Sequence, residues 1–368
     1  MNMLDYLDWR GDVPFTAMPL NEVDNLIFST LVYLKMDGMI PPEGITIAGL
    51  YDRCTAQEVA PTGLANDPLP LLKKAAVCER FRAVRVSGFV NTVDTDRQIQ
   101  FAAATFAYAP GEMYIAFRGT DNTIVGWRED LNFSFLPVTP GQEQAAEYVS
   151  RAAAAAQGSI TVGGHSKGGN FAVYGAAFCD PAARDRITRV YSNDGPGFNR
   201  SIVNSPEYAA VLDRILKIIP ESSLVGILLS SRAERKVIRS SAKGTAQHDP
   251  YSWCVMGAAF EEADARSTSG ILLDDTLNNW ADALSDDDLR IFVNTIFDVL
   301  EASGVETIKE INQNKRMTYN AILKAIGQVD AESKSEFMEL IRRLLLSGKD
   351  AVVSETKKNF SKHRETNP

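Results

Sequence analysis

Three residue types in this chain could together carry acyl-transfer chemistry: a serine between glycines, a histidine and a carboxylate. Residues 161–170 read TVGGHSKGGN, and Ser166 is the centre of a Gly-x-Ser-x-Gly pattern formed by Gly164, His165, Ser166, Lys167 and Gly168. A serine hydroxyl attacks a carbonyl only when a base takes its proton and donors receive the charge that develops on the carbonyl oxygen. Ile160 and Val162 predict a strand before the serine, and residues 167–178 predict a helix after it. Strand, sharp turn and helix are the setting in which this pattern forms a nucleophile elbow, with glycines where side chains would collide with neighbouring backbone. The helix start adds N–H groups and a positive dipole end, so the Lys167 N–H is the first expected oxyanion donor. A phosphate-binding turn would need G-x-G-x-x-G or G-x-x-x-x-G-K-[ST], and neither fits here.

The base must come from three histidines, His165, His248 and His363. His165 lies inside the elbow, where its side chain is expected to point away from the serine in a structural role. His363 lies in a polar tail. His248, in TAQHDPYSW, follows the last expected strand and stands last in the order serine, acid, histidine. Asp194, in SNDGPGF at the end of a strand, is the first choice for the acid. Glu221, in IIPESS after the next strand, is the alternative. Asp249 adjoins His248, and sequence neighbours rarely face each other in the required way. The bland readings are a turn-capping aspartate and a hydrogen-bonded loop histidine. Thr120, in IAFRGTDN, is the expected second oxyanion donor, through its backbone N–H or hydroxyl.

These residues need a frame. Asn21 can cap a helix whose apolar face is Val23, Leu26, Ile27, Leu31 and Leu34, and a second helix is expected over 70–81. Residues 84–93, 98–108 and 113–119 predict three consecutive strands, joined by the turns Asp94-Thr95-Asp96 and Pro110-Gly111. The chain then alternates. Helices are expected over 142–156, 167–178 and 205–214, and strands over 159–163, 187–193, 215–219 and 235–240. The fold class is therefore α/β, a mixed sheet with an antiparallel start and a parallel continuation, helices on both faces, and a helical C-terminal region. The expected division is a domain over 1–270, helices over 271–355 packed on it, and a loose tail over 356–368.

With 368 residues the chain is long enough for a substantial core, and 45% hydrophobic and 23% charged residues are ordinary globular values. A net charge of −9 argues against nucleic acid as a partner. Cys54, Cys78, Cys179 and Cys254 form no Cys-x-x-Cys pair and read as buried residues of a reduced compartment. No metal and no cofactor is expected. Asp5 and Asp8 stand where a signal peptide needs an apolar core, and no stretch reaches eighteen apolar residues. A cytoplasmic, soluble protein is expected, with only transient membrane-surface contact open to it.

FRGTDNTIVGWREDL (117–131) and GGHSKGGNFA (163–172) resemble the class 3 lipases of the α/β-hydrolase superfamily, in the same order and at a similar separation. The resemblance implies Thr120 in the oxyanion hole, Ser166 as nucleophile and Trp127 within a lid; it is strongest over about 80–255. NMLDYLDWRGD, SNDGPGF and QHDPYSW look more like a bacterial lipase-like branch catalogued as a domain of unknown function. One departure stands out: where the lipases place their acid, this chain has Pro220-Glu221-Ser222-Ser223, with no aspartate. The implied function is cleavage of an acyl ester or lipid. Two alternatives share the same residues: a catalytically silent binding scaffold, and an acyltransferase or thioesterase.

Overall fold

A computed structural model describes residues 1–59, 67–120, 128–129, 132–133, 135–263, 266, 276, 280, 283–302, 334–343 and 346–347. Four helices come first: α1 (Met3–Arg10), α2 (Glu22–Leu31), α3 (Ile47–Ala56) and α4 (Leu69–Val77). Asn21 caps α2 as expected. Its side chain accepts from the Val23 and Asp24 N–H groups, and Asp24 answers from the third helical position by accepting the Asn21 N–H. Asp24 also binds the buried Arg80 in two places, Nε to Oδ1 at 2.9 Å and Nη2 to Oδ2 at 2.5 Å. Arg80 spends its other N–H groups on the carbonyls of Val13, Met18 and Pro19. A buried charge needs this degree of satisfaction, and the result ties the N-terminal segment to the body.

The sheet follows. β1 (Ile45–Thr46), β2 (Arg85–Asp94), β3 (Ile99–Ala109) and β4 (Glu112–Phe117) pair antiparallel. β5 (Ser159–His165), β6 (Ile187–Asn193), β7 (Ile215–Pro220) and β8 (Glu234–Ile238) continue parallel from β4. The described residues form one eight-stranded sheet in strict chain order. This is the expected mixed sheet, antiparallel and then parallel, flanked by helices on both faces.

The two helical layers have different origins. With strands in chain order, right-handed crossovers put the connecting helices on one face. α5 (Pro140–Ala155) and α6 (Lys167–Phe178) pack there with Met113, Ile115, Phe117, Ile160 and Val162. The other face, carrying Tyr114, Ala116, Tyr191 and Ile218, is covered by α1 to α4. β4 thus feeds the two layers alternately, as a pleated strand must.

Some expectations change. The helix expected over 70–81 is interrupted where Cys78 takes an extended conformation, and a short helix, Glu79–Arg82, follows. The helix expected over 205–214 is one turn, Pro206–Ala209, then a 3-10 turn, Leu212–Arg214. There Arg214 donates to the carbonyls of Arg184 and Ile187 and draws the chain into β7. All four cysteines are free, but Cys78 and Cys254 are half-buried, where burial was expected.

A helical C-terminal region is present. α7 (Asp286–Ala302) contributes Leu289, Val293 and Phe297 to a small core with Phe135 and Trp280, and Trp280 Nε1 donates to the Leu340 carbonyl at 3.1 Å. Arg128 Nη2 donates to Asn294 Oδ1 at 3.2 Å. Residues 303–333 and the tail from 348 lie outside the described residues. No helix among the described residues is long and apolar enough to cross a membrane.

Candidate functional site

Ser166 follows β5 and precedes α6, at φ +59° and ψ −132°. This backbone region is rare for a residue with a Cβ and costs about 1–3 kcal/mol unless the surroundings impose it. The surroundings do. The Ser166 N–H donates to the Asn193 carbonyl at 2.9 Å, and its own carbonyl accepts from the Gly169 N–H at 2.8 Å. A Cβ on Gly164 would overlap the Gly168 carbonyl, and one on Gly168 would overlap the Phe117 carbonyl. The flanking glycines are the price of closing the turn.

His248 arrives from the far end of the chain. Its Nδ1 lies 2.6 Å from Asp194 Oδ2. A carboxylate only accepts, so Nδ1 carries a proton. Asp194 follows β6 at φ +49° and is fully buried. Its Oδ1 accepts from the Ser223 hydroxyl and from the Gly226 N–H at 3.2 Å. Burial by itself pushes Asp194 up; the hydrogen bond and charge of His248 and the Ser223 hydroxyl outweigh it and hold the carboxyl below its ordinary value. Glu221 is half-buried. Among the described residues, Asp194 is the carboxylate bonded to the His248 ring.

The sequence around His248 explains its placement. Gln247 Oε1 accepts the Ser222 N–H at 2.8 Å, and the Gln247 carbonyl accepts from Nε1 of the buried Trp253 at 2.9 Å. Asp249 accepts the Tyr251 N–H and starts the next turn. QHDPYSW is thus a bracket that fixes one imidazole. Among the described residues, neither Ser166 Oγ nor His248 Nε2 makes a hydrogen bond.

The Gly119–Thr120 segment lies against the elbow: a Cβ on Gly119 would sit 2.5 Å from the His165 carbonyl oxygen and 3.0 Å from Ser166 Cβ. Thr120, the next residue, is half-buried. Lys167 supplies the first N–H of α6, and its side chain is fully buried beneath the turn. There Nζ donates to Gln100 Oε1 at 2.6 Å and to Glu129 Oε2 at 3.0 Å. Trp127, expected within a lid, lies outside the described residues. No group of three His, Cys, Asp or Glu side chains converges as a metal site among the described residues.

His165, expected in a structural role, has a partner its sequence position did not indicate, His248. It is buried, its ring lies 4.6 Å from that of His248, and Nε2 donates to the His248 carbonyl at 2.8 Å. Burial, with the charge of His248 adding to it, pulls its imidazole down to about 3. In the unfolded chain the ring takes up a proton near its ordinary 6.5. The unfolded state therefore binds more protons between these values, and stability is lost as pH falls from 6.5 toward 3, by up to about 1.4 kcal/mol per pH unit. Asp194 acts in the same direction, its contribution being lost as pH falls through its lowered folded value. Unfolding free energies from urea titrations at pH 7 and pH 4.5 should differ by about 3 kcal/mol in the wild type, and by distinctly less in His165→Gln. Equal differences would show that His165 is not held neutral.

Sequence reasoning thus named Ser166, Lys167, Thr120, His248 and Asp194, and the structure gathers them around the ends of β4 to β6. It missed Ser223 and Gly226, which support Asp194, and Tyr33, whose hydroxyl accepts the Gly119 N–H at 3.0 Å. The departure at Pro220-Glu221-Ser222-Ser223 was the available signal for Ser223: the segment supplies a hydroxyl to an aspartate standing elsewhere.

Comparison with known proteins gives distant likenesses in structure. The Rhizomucor miehei lipase–propeptide complex is similar at 16% identity and a TM-score of 0.37, with 59% of this chain and 68% of that chain covered. A fungal lipase–inhibitor complex shows 16% identity and a TM-score of 0.37, over 68% of this chain and 95% of that one. The M37 lipase shows 15% and 0.35, over 66% and 82%. No curated protein matches. No bacterial lipase-like branch is singled out. The Mbeg1-like family matches residues 75–298, which span the whole sheet from β2 to β8 and the site at its edge. Since that match takes in more than half of the 368 residues, the chain belongs to the Mbeg1-like family.

Proposed function

We propose that this protein is a serine hydrolase of carboxylic esters, with an acyl ester or lipid as substrate. Ser166 Oγ attacks the ester carbonyl while His248 Nε2 takes its proton, and Asp194 holds the imidazole in the required tautomer. The Lys167 N–H and Thr120 receive the oxyanion. The alcohol leaves with the proton from His248, and water, deprotonated by the same imidazole, releases the acid from Ser166. The observation that carries this reading is a serine in a strained strand-to-helix turn, next in the chain to His165, whose ring lies 4.6 Å from an imidazole paired with a buried carboxylate. Glu221 is the alternative acid, and Trp127 the lid residue in this reading.

One observation favours the catalytically silent scaffold instead: Ser166 Oγ and His248 Nε2 are not bonded to each other. Catalytic hydrogen bonds are often long before substrate arrives, so activity decides. The wild type should release p-nitrophenol from short- and long-chain esters with a burst that reports the acyl-enzyme. A folded protein that hydrolyses none of them contradicts the proposal. Transfer of the acyl group to an added alcohol, in preference to water, would make it an acyltransferase.

A further inference from the structure

We propose that Tyr33 and His165 are positioning residues that hold the oxyanion loop and the base against the elbow through one buried hydrogen-bonded chain. This rests on the hydrolase reading above. The Gly119 N–H donates to the Tyr33 hydroxyl at 3.0 Å. That hydroxyl has one proton and two acceptors on His165, the carbonyl at 3.3 Å and Nδ1 at 3.4 Å. His165 then donates from Nε2 to the His248 carbonyl at 2.8 Å. The chain is directional throughout. A carbonyl only accepts, so the His165 proton sits on Nε2 and leaves Nδ1 as an acceptor for Tyr33. Tyr33 and His165 are 4% and 2% exposed, so both lie away from bulk solvent.

The consequence is that one hydroxyl sets the distance between Gly119 and the elbow, and one ring N–H sets the backbone of His248. Asp194 fixes the His248 ring from the side chain; His165 fixes the same residue from its carbonyl. Tyr33 belongs to the N-terminal layer, before the residues that match the family. The same layer reaches β6 through Asn25, whose Nδ2 donates to Asn193 Oδ1 at 2.8 Å, and Ser29, which accepts from Asn193 Nδ2 at 3.1 Å. Asn193 carries the carbonyl that receives the Ser166 N–H and precedes Asp194. The N-terminal helices therefore brace the nucleophile, the oxyanion loop and the carboxylate together.

The test is steady-state kinetics on a p-nitrophenyl ester for wild type, Tyr33→Phe, His165→Leu and His165→Gln. Misplacing a reacting group by about 1 Å costs about a hundredfold, so Tyr33→Phe and His165→Leu should lower kcat by about ten- to a hundredfold. KM should hardly change, because the ground-state substrate does not use the oxyanion donors. Gln can keep an N–H near the place of Nε2, and His165→Gln should recover most of the loss. An active wild type with unchanged kcat in Tyr33→Phe and His165→Leu overturns the positioning role and leaves the hydrolase reading intact. Loss of His165→Leu activity that Gln does not restore also overturns the role proposed for its N–H. A folded wild type without activity overturns the hydrolase reading and this inference with it. If Tyr33→Phe does not fold, the two His165 variants decide by the same split.

Discussion

Ser166→Ala is expected to keep the fold and to lose about a millionfold in kcat toward any ester the wild type cleaves. In the proposed mechanism Oγ makes the covalent bond and the other groups of the site act through it, so the expected loss is large. The oxyanion donors and the substrate-binding surface remain, so a residual rate about a thousandfold or more above water is expected to survive. Ser166→Gly should be as inactive as Ser166→Ala. Its stability should differ: glycine accepts φ +59° without strain, and a gain of about 1 kcal/mol over the wild type is expected. Thermal unfolding of the two variants beside their single-turnover rates reads both effects. A serine that merely fills a turn would show the stability change with no loss of rate.

Asp194→Asn is expected to cost about ten-thousandfold in kcat, and Glu221→Gln to leave it near the wild-type value. An asparagine can turn its NH2 toward His248 and stabilise the wrong tautomer, with the proton on Nε2 and no lone pair facing the serine. It also removes the charge that stabilises the imidazolium in the transition state. The surroundings of Asp194 oppose a simple flip, because Oδ1 is held by the Ser223 hydroxyl and the Gly226 N–H, both donors. The asparagine oxygen should remain on that side and its NH2 should meet His248, which is the inactivating arrangement. The reverse outcome, with Glu221→Gln inactive and Asp194→Asn active, would move the acid to the position the class 3 lipases suggest.

The parts of the fold legible in the sequence are those set by local pattern. Ile160 and Val162 followed by a glycine-flanked serine and an apolar helix leave little choice of backbone, and the elbow appears as expected. Asn21 at the head of an apolar stripe reads as a helix cap, and it is one; the answering Asp24 was not read. The three strands from residue 84 alternate strongly enough to be placed within a residue or two. β1 was too short to show a period, and the extended Cys78 broke a helix whose apolar spacing runs straight through it.

The contacts that define the site are of another kind. Tyr33 meets Gly119 across 86 residues, and His165 meets His248 across 83. No spacing rule reaches that far. The covering of one sheet face by α1 to α4 follows from strand order, and strand order is not visible in a run of strands and helices. Ser223 is instructive for the same reason: its segment was read for a carboxylate, and its contribution is a hydroxyl that holds a carboxylate donated by the neighbouring strand end.

The central claim is that Ser166 is the nucleophile of an assembled serine, histidine and aspartate set. Treatment of the folded protein with a fluorophosphonate probe, followed by peptide mass spectrometry, tests it most directly. The expected result is a single covalent adduct on Ser166, absent from Ser166→Ala and formed far more slowly by Asp194→Asn. Equal labelling of the wild type and Ser166→Ala, or an adduct on another serine, would contradict it.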